Sequence, residues 1–351
     1  DGRHRQKEWR EMKRLFDLTR DLVNIESVTG HEHACAEFIA RLLADQGYAT
    51  QRQPVSDGRA NVYAARGNPD VILCTHIDTV PPFFPAREDS EFLYGRGACD
   101  AKGCLASMIV AAERLIADGV HNFGLLFLVG EETGSDGARV ANLAPPGSKF
   151  VVVGEPTNNR LVVATKGTLA VRIQAHGRAA HSAYPELGDS AIDRLLDLLA
   201  ELRAMPLPSD PKLGPSTVNI GLISGGRATN VVPDLAEAQL LYRTLDDGAQ
   251  LRGRITAVLE GRCEYEFSRQ TPILHFEELD GFESDVVAFT TDATHLPHWG
   301  RPLLLGPGSI IQAHTENEYV RKAELVRAVD LYTQIVRKLK ARIQQPQEAT
   351  R

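Results

Sequence analysis

The residues of this chain that could do chemistry are histidines and carboxylates placed where short apolar runs end. His76 and Asp78 follow Val71 to Thr75, Glu131 and Glu132 follow Phe127-Leu128-Val129-Gly130, and Glu155 follows Val151-Val152-Val153-Gly154. Asp100 sits in Tyr94-Gly95-Arg96-Gly97-Ala98-Cys99-Asp100-Ala101-Lys102-Gly103, and His314 closes Gly306-Pro307-Gly308-Ser309-Ile310-Ile311-Gln312-Ala313-His314. Taken singly, a histidine at a strand end is ordinarily a satisfied core or surface residue, and an acidic pair a solvated turn. As an ordered set they read as a metal-binding constellation, because imidazole nitrogen and carboxylate oxygen are donors that a divalent cation takes. Open parallel sheets also gather ligands at the carboxyl ends of their strands, so the segments should converge. His31, His33, His121 and His298 share none of this placement and read as surface or structural residues.

The elements that must position these residues follow from periodicity. Met12, Leu15, Phe16, Leu18 and Leu22 recur at helical spacing between Trp9 and Asn24, and a second helix spans Glu32 to Gln46, stopped by Gly47. Apolar runs at 61–65, 71–75, 124–129 and 150–153, with a helix at Leu105 to Asp118, alternate as βαβ units do and predict an α/β domain on a buried, mostly parallel sheet. From Lys166 the texture changes. Thr168 to Ala175 alternates apolar and polar residues, a helix follows from Ser190 to Arg203, and strands follow at 217–223 and 236–243. A helix from Gly248 to Glu260 and a strand at 264–268 complete a βαββαβ, ferredoxin-like order. The α/β pattern then resumes with Pro302 to Leu305 and a helix from Ala323 to Leu339. The expected organisation is a discontinuous catalytic domain, 1–165 with 276–351, carrying an inserted lid, 166–275, with hinges near Lys166-Gly167 and Pro272 to His275.

Composition narrows the function classes. A length of 351 residues suits two domains, and 43% hydrophobic with 24% charged residues is ordinary for a globular protein. A net charge of -7 argues against a nucleic-acid partner, which would need concentrated Lys and Arg. No apolar run approaches the roughly 20 residues that cross a bilayer. Neither a transmembrane nor a secretory segment is read, and the start at Asp1 without methionine fits a processed or a truncated chain alike. Cys35, Cys74, Cys99, Cys104 and Cys263 form no CxxC pair and fit a reducing cytosol, so the expected location is cytoplasmic.

At His76-x-Asp78, Gly-Arg-Gly-x-x-Asp100-x-Lys-Gly, Glu131-Glu132, Gly154-Glu155-Pro156-Thr157 and Ala313-His314, in that order, the chain resembles the M20 metallopeptidase family over almost its whole length, in particular its acetylornithine deacetylase members. The resemblance implies a zinc-exopeptidase-like domain in which His76 and Glu155 bind one ion, Glu132 and His314 the other, and Asp100 bridges both. Zinc is the expected metal, with cobalt and manganese as alternatives that accept the same donors. Glu131 would act as general base and then acid, and Asp78 would orient His76 through its other ring nitrogen. A cis peptide is expected at Asp100-Ala101, a conformation that costs about 3 to 4 kcal/mol without proline.

The lid carries Gly177-Arg178-Ala179-Ala180-His181-Ser182-Ala183-Tyr184-Pro185-Glu186-Leu187-Gly188, which resembles the family's lid signature. By that resemblance His181 reaches the active site of a partner subunit and stabilises the oxyanion, so a homodimer through the lid is expected. Asn230, in Gly225-Gly226-Arg227-Ala228-Thr229-Asn230, would hydrogen-bond the substrate, Arg243 would grip its carboxylate, and Gly306 and Gly308 would let backbone approach it. Where relatives often carry Gly-x-Asn the lid has Gly188-Asp189. The implied reaction is hydrolysis of a small N-acylated amino acid, first N-acetyl-L-ornithine in arginine biosynthesis. Acetylcitrulline, succinyl-diaminopimelate, carrier-protein-linked lysine or ornithine, and dipeptides are alternatives. A catalytically inactive dimeric binding protein is the reading from another class, and it conflicts with an intact Glu131 beside an intact ligand set. A nucleotide binder lacks any GxGxxG or P-loop after a strand.

Overall fold

The structure, a computed structural model, describes residues 2–344. The chain divides into two compact units, residues 1–163 with 276–285 and 291–351, and residues 164–275 with 286–290.

The larger unit is built on a mixed sheet. Its centre is parallel: Phe123–Leu128 pairs with Val71–His76, which pairs with Phe150–Val153, which pairs with Arg301–Leu304. All residues of the first three of these strands are buried, as expected of strands covered on both faces. The flanks are antiparallel, which corrects the expectation of a mostly parallel sheet. Arg59–Ala65 joins Phe123–Leu128 on one side, and Ala49–Ser56 hairpins onto Arg59–Ala65. The turn of that hairpin is Asp57-Gly58, with Gly58 at φ 72°, a tight reversal that no crossover helix interrupts. Ala49–Ser56 escapes sequence reading because Thr50-Gln51-Arg52-Gln53-Pro54 is polar and contains proline, which edge strands tolerate.

Helices cover the sheet. Lys102–Ala117 is buried nearly all round in its first three turns, from Lys102 to Ala112, because it packs against both the long N-terminal helix Gly2–Val23 and the C-terminal helix Lys322–Gln344. The C-terminal helix buries Leu325, Ala328, Val329, Tyr332, Ile335, Val336 and Leu339 at a spacing of three to four, and the Tyr332 hydroxyl donates to the Leu305 carbonyl at 2.8 Å. The N-terminal helix begins at Gly2, well before the Trp9 expected from apolar periodicity, since its first turns carry charged residues in place of an apolar stripe. Among the described residues no helix is long and apolar enough to cross a membrane.

The smaller unit has a four-stranded antiparallel sheet in the order Thr217–Gly225, Leu235–Thr244, Gly167–His176, Glu264–Thr271. With helices Ala191–Ala204 and Ala249–Leu259 this is the βαββαβ arrangement read from the sequence. Alternate residues Leu169, Val171, Ile173 and Ala175 are buried with Leu195, Leu198, Leu202, Ile255 and Leu259 from the helices, so one sheet face forms the core. Ser190 caps the first helix by accepting the Asp193 N–H.

Candidate metal centre

Each of the five residues expected to bind metal leaves the larger unit's framework at the end of a strand or in a loop. His76 is the last residue of its strand, Glu132 lies in the turn Glu131–Thr133 after Phe123–Leu128, and Glu155 follows Phe150–Val153 closely. Asp100 precedes the helix Lys102–Ala117, and the Asp100–Ala101 peptide is cis, as the resemblance implied. His314 comes from the loop after Arg301–Leu304 and adopts φ 64°.

The five meet around Asp100. Its Oδ1 lies 3.0 Å from His76 Nε2, and its Oδ2 lies 3.3 Å from His314 Nε2. His76 Nε2 is 3.9 Å from Glu155 Oε2, while His314 Nε2 is 3.0 Å from Glu132 Oε2. One carboxylate thus faces two histidine-glutamate pairs, one through each oxygen. Ligand atoms of His76, Asp100 and Glu132 all lie within 4.8 Å of one another.

The electrostatics fit a pair of divalent cations. Glu155 Oε1 is buried without a hydrogen-bond partner among the described residues, and burial pushes the Asp292 carboxyl up to about 7 although the charge of His76 and Ser135 oppose the rise. Burial also raises the Glu155 carboxyl well above its usual range, with the charges of Asp100, Glu131 and Asp292 adding to the rise against the pull of His76. The three ring carboxylates, with Glu131 and Asp292 beside them, outnumber the two imidazoles even when both are protonated, and the donor set of nitrogen and oxygen suits zinc. His76, Glu155, Asp100, Glu132 and His314 could hold two such ions.

Glu131 makes no part of that ring. Burial pushes its carboxyl well above the usual range; His76 opposes this, and the neighbouring charges of Asp292, Asp100 and Glu132 add to it. The backbone around it is fastened by Asp78, whose Oδ1 accepts the Glu131 N–H at 3.1 Å and whose Oδ2 accepts the Glu132 N–H at 3.2 Å and the Thr29 hydroxyl at 2.8 Å. His76 Nδ1 donates to the backbone carbonyl of Asp78 at 3.0 Å, with Oδ1 farther away at 3.4 Å. Asp78 therefore orients His76 chiefly through its carbonyl, while its carboxylate clamps the Glu131–Glu132 turn. Behind the turn, buried Asn61 accepts the Val129 N–H at 3.1 Å and donates to the Gly137 carbonyl at 2.9 Å.

Other expected site residues fall in different places. Gly306 and Gly308 are needed for packing: a Cβ at Gly306 would meet the Glu155 carbonyl oxygen at 2.5 Å, and one at Gly308, φ 82°, would meet Cys99 Sγ at 2.5 Å. In the smaller unit the His181 and Asn230 segments run side by side. Ser182 N–H donates to the Asn230 carbonyl at 3.0 Å, Val232 N–H to the Ala180 carbonyl at 2.9 Å, and His181 bridges to Val231. His181 is exposed and its Nδ1 accepts the Ala183 N–H at 3.1 Å. Arg243 is not brought to them. It pairs with Thr168 at the far end of the strand Leu235–Thr244, and the eight residue-to-residue steps of extended chain from Leu235 to Arg243 span about 26 Å. His31, His33, His121 and His298 are exposed, as their placement predicted.

Two buried carboxylates near the ring, Asp292 and Glu318, were not singled out from sequence. Thr290-Thr291-Asp292-Ala293 and Thr315-Glu316-Asn317-Glu318 read as polar loops, and only burial distinguishes these two acids from solvated neighbours.

The chain is similar to known proteins over most of its length. The profile of peptidase family M20/M25/M40 matches residues 72–338. A probable carboxypeptidase of Aspergillus clavatus is 38% identical over 369 residues, an alignment covering 92% of this chain and 82% of that protein. Among solved structures, a tripeptidase from Staphylococcus aureus superposes with a TM-score of 0.80 at 21% identity, covering 95% of this chain and 99% of that one. The Bacillus subtilis YxeP protein, described as a dinuclear metal-binding peptidase, superposes with a TM-score of 0.71 at 17% identity over 94% of this chain and 98% of that one. With a family profile spanning most of its length and relatives of this identity over nine-tenths of it, the chain belongs to peptidase family M20/M25/M40.

Proposed function

We propose that this M20 hydrolase cleaves the amide bond on the amino side of a small amino acid whose own carboxylate is free, releasing that amino acid. An N-acyl amino acid such as N-acetyl-L-ornithine and a dipeptide offered to a carboxypeptidase present the same bond, so the motif resemblance and the carboxypeptidase name of the Aspergillus relative support one reaction. The observation that carries the reading is the ring of His76, Glu155, Asp100, Glu132 and His314 with Glu131 beside it.

Two divalent ions in that ring, zinc first, would supply Lewis acidity at the scissile carbonyl and lower the pKa of the attacking water. Glu131 takes a proton from the water as its oxygen bonds the carbonyl carbon, then delivers it to the nitrogen as the C–N bond breaks. Burial, which pushes its carboxyl up, would oppose the lowering that two nearby cations impose. His181 donates to the developing oxyanion, Asn230 hydrogen-bonds the substrate, and Arg243 binds the substrate carboxylate through its planar fork.

The lid's own dimensions support a homodimer. His181 and Asn230 lie in loops that leave the sheet at its His176–Leu235 end, whereas Arg243 stands at the opposite end of the same strand, so two lids related by a two-fold axis would supply Arg243 from one subunit and His181 with Asn230 from the other.

The test is amine release by metal-stripped protein, with and without added zinc or cobalt, from N-acetyl-L-ornithine, other N-acyl amino acids and dipeptides. Metal-dependent turnover of either class supports the reaction, and the preferred member names the substrate. Absence of turnover on every member by zinc-loaded protein would sink it.

A further inference from the structure

Four residues past His314, Glu318 is wholly buried, and its carboxylate reaches away from solvent into the Asp100 loop. Its Oε1 accepts the backbone N–H of both Cys99 and Asp100, each at 3.0 Å. Its Oε2 pairs with Arg96 Nη1 at 2.6 Å, and its own carbonyl accepts the Gly95 N–H at 3.0 Å. Arg96, 2% exposed, is itself held: Nε donates to the Pro82 carbonyl at 3.2 Å and the guanidinium lies 4.9 Å from the Phe84 ring centre. The segment that carries His314 therefore also grips the backbone of Asp100.

An ion pair this deeply buried contributes little net stability, because desolvating two charges offsets their attraction, and apolar pairs of similar volume often replace such bridges at no loss. What an apolar pair cannot do is accept two backbone N–H groups. The Asp100 carboxylate faces His76 with one oxygen and His314 with the other, so a small rotation of its backbone would lose one of the two.

We propose that Glu318, oriented by Arg96, is a positioning residue that registers Asp100 against His314 and so sets the affinity of the centre for its ions. The inference rests on the reading of Asp100 and His314 as metal ligands. Neither Glu318 nor Arg96 touches the substrate or the ions; both act through the Asp100 backbone.

The experiment measures zinc affinity, by competition with a chromophoric chelator, alongside thermal unfolding of the metal-stripped protein. Two double variants are compared with wild type. In Arg96→Met/Glu318→Gln the amide oxygen still accepts both N–H groups, and zinc affinity stays within about threefold of wild type. In Arg96→Met/Glu318→Leu the acceptor is gone while no charge is left unpaired; the metal-stripped protein unfolds cooperatively and zinc binds about 10- to 100-fold more weakly. Wild-type affinity in the leucine variant overturns the proposal, and so does an equal loss in both variants. Should the leucine variant fail to fold, Glu318→Asp keeps the charge and withdraws the acceptor by one methylene. A loss of about tenfold is then expected, and unchanged affinity overturns the proposal. A wild-type protein that takes up no zinc would instead refute the underlying metal-centre reading.

Discussion

Asp78 fastens Glu131 by its backbone, Oδ1 accepting the Glu131 N–H at 3.1 Å while Oδ2 takes the N–H of Glu132 at 3.2 Å. The proposed base and an expected metal ligand, neighbours in sequence, thus hang from one buried carboxylate, which burial pushes up but His76, Thr29 and the Glu132 N–H hold below its usual pKa. Hydrogen bonds to a charged acceptor contribute about 1.5 to 3 kcal/mol each. Asp78→Asn can accept only one of the two N–H groups and turns its own amide donor toward the other. The expected result is a fall in kcat/KM and in zinc affinity of about 10- to 100-fold each. Steady-state kinetics with chelator competition check it, and a variant unchanged in both would show that the clamp contributes nothing.

Glu131→Gln separates catalysis from metal binding. Glu131 lies outside the ring around Asp100, so zinc affinity stays within about threefold while kcat falls by about 100- to 10,000-fold through loss of the proton carrier. Single-turnover kinetics on zinc-loaded variant and wild type read the second quantity. A variant with unimpaired kcat would remove Glu131 from the mechanism.

Zinc affinity should rise with pH. Without metal, hydrogen bonds to Asp100 and Glu132 carry His314 up to about 10, and bonds to Asp100 and Asp78 carry His76 well above its usual value although burial opposes them. His314 is then protonated at neutral pH, His76 is shifted in the same direction, and binding must displace the His314 proton. Each displaced proton makes affinity change about tenfold per pH unit, upward as pH rises until about 10. The metal-free protein behaves oppositely. Raised imidazole pKa values stabilise it below their unfolded values, and that stability is lost as pH climbs through about 10. Titration calorimetry in buffers of different ionisation enthalpy should count at least about one proton released at neutral pH. A count of none would contradict the picture.

How far the site was legible in sequence depended on what each residue leans on. His76, Glu132 and Glu155 stand close behind strands whose unbroken apolar runs, Val71 to Thr75, Phe123 to Leu128 and Phe150 to Val153, announce themselves, so their convergence could be argued before any coordinates. Glu318 and Asp292 could not be found that way, because burial of an acid in a polar loop depends on partners more than 200 residues distant, such as Arg96 for Glu318. Asp78 does stand at the other ring nitrogen of His76, with its carbonyl at 3.0 Å and Oδ1 at 3.4 Å, but its carboxylate's hold on the Glu131–Glu132 turn depends on the pairing of Val71–His76 with Phe123–Leu128 and left no mark in the sequence. The sheet's antiparallel flank was likewise hidden, since Ala49–Ser56 owes its extended form to pairing with Arg59–Ala65 and has no apolar alternation of its own.

Subunit mixing can read whether two lids share each site, as proposed. If each active site takes Arg243 from its own subunit and His181 from the partner, then His181→Ala and Arg243→Ala homodimers are both defective at every site. A heterodimer of the two variants places both lesions in one site and none in the other. Random co-assembly makes half of the dimers heterodimers, so co-expressed variants should recover about a quarter of wild-type kcat per subunit. The measurement needs only the two variants purified singly and together, with dimer content checked by sedimentation. Recovery of that size requires the two residues to act from different chains. Activity no higher than that of the separate variants, in a sample shown to contain heterodimers, would require His181 and Arg243 to serve the same site from one chain, or not to serve it at all.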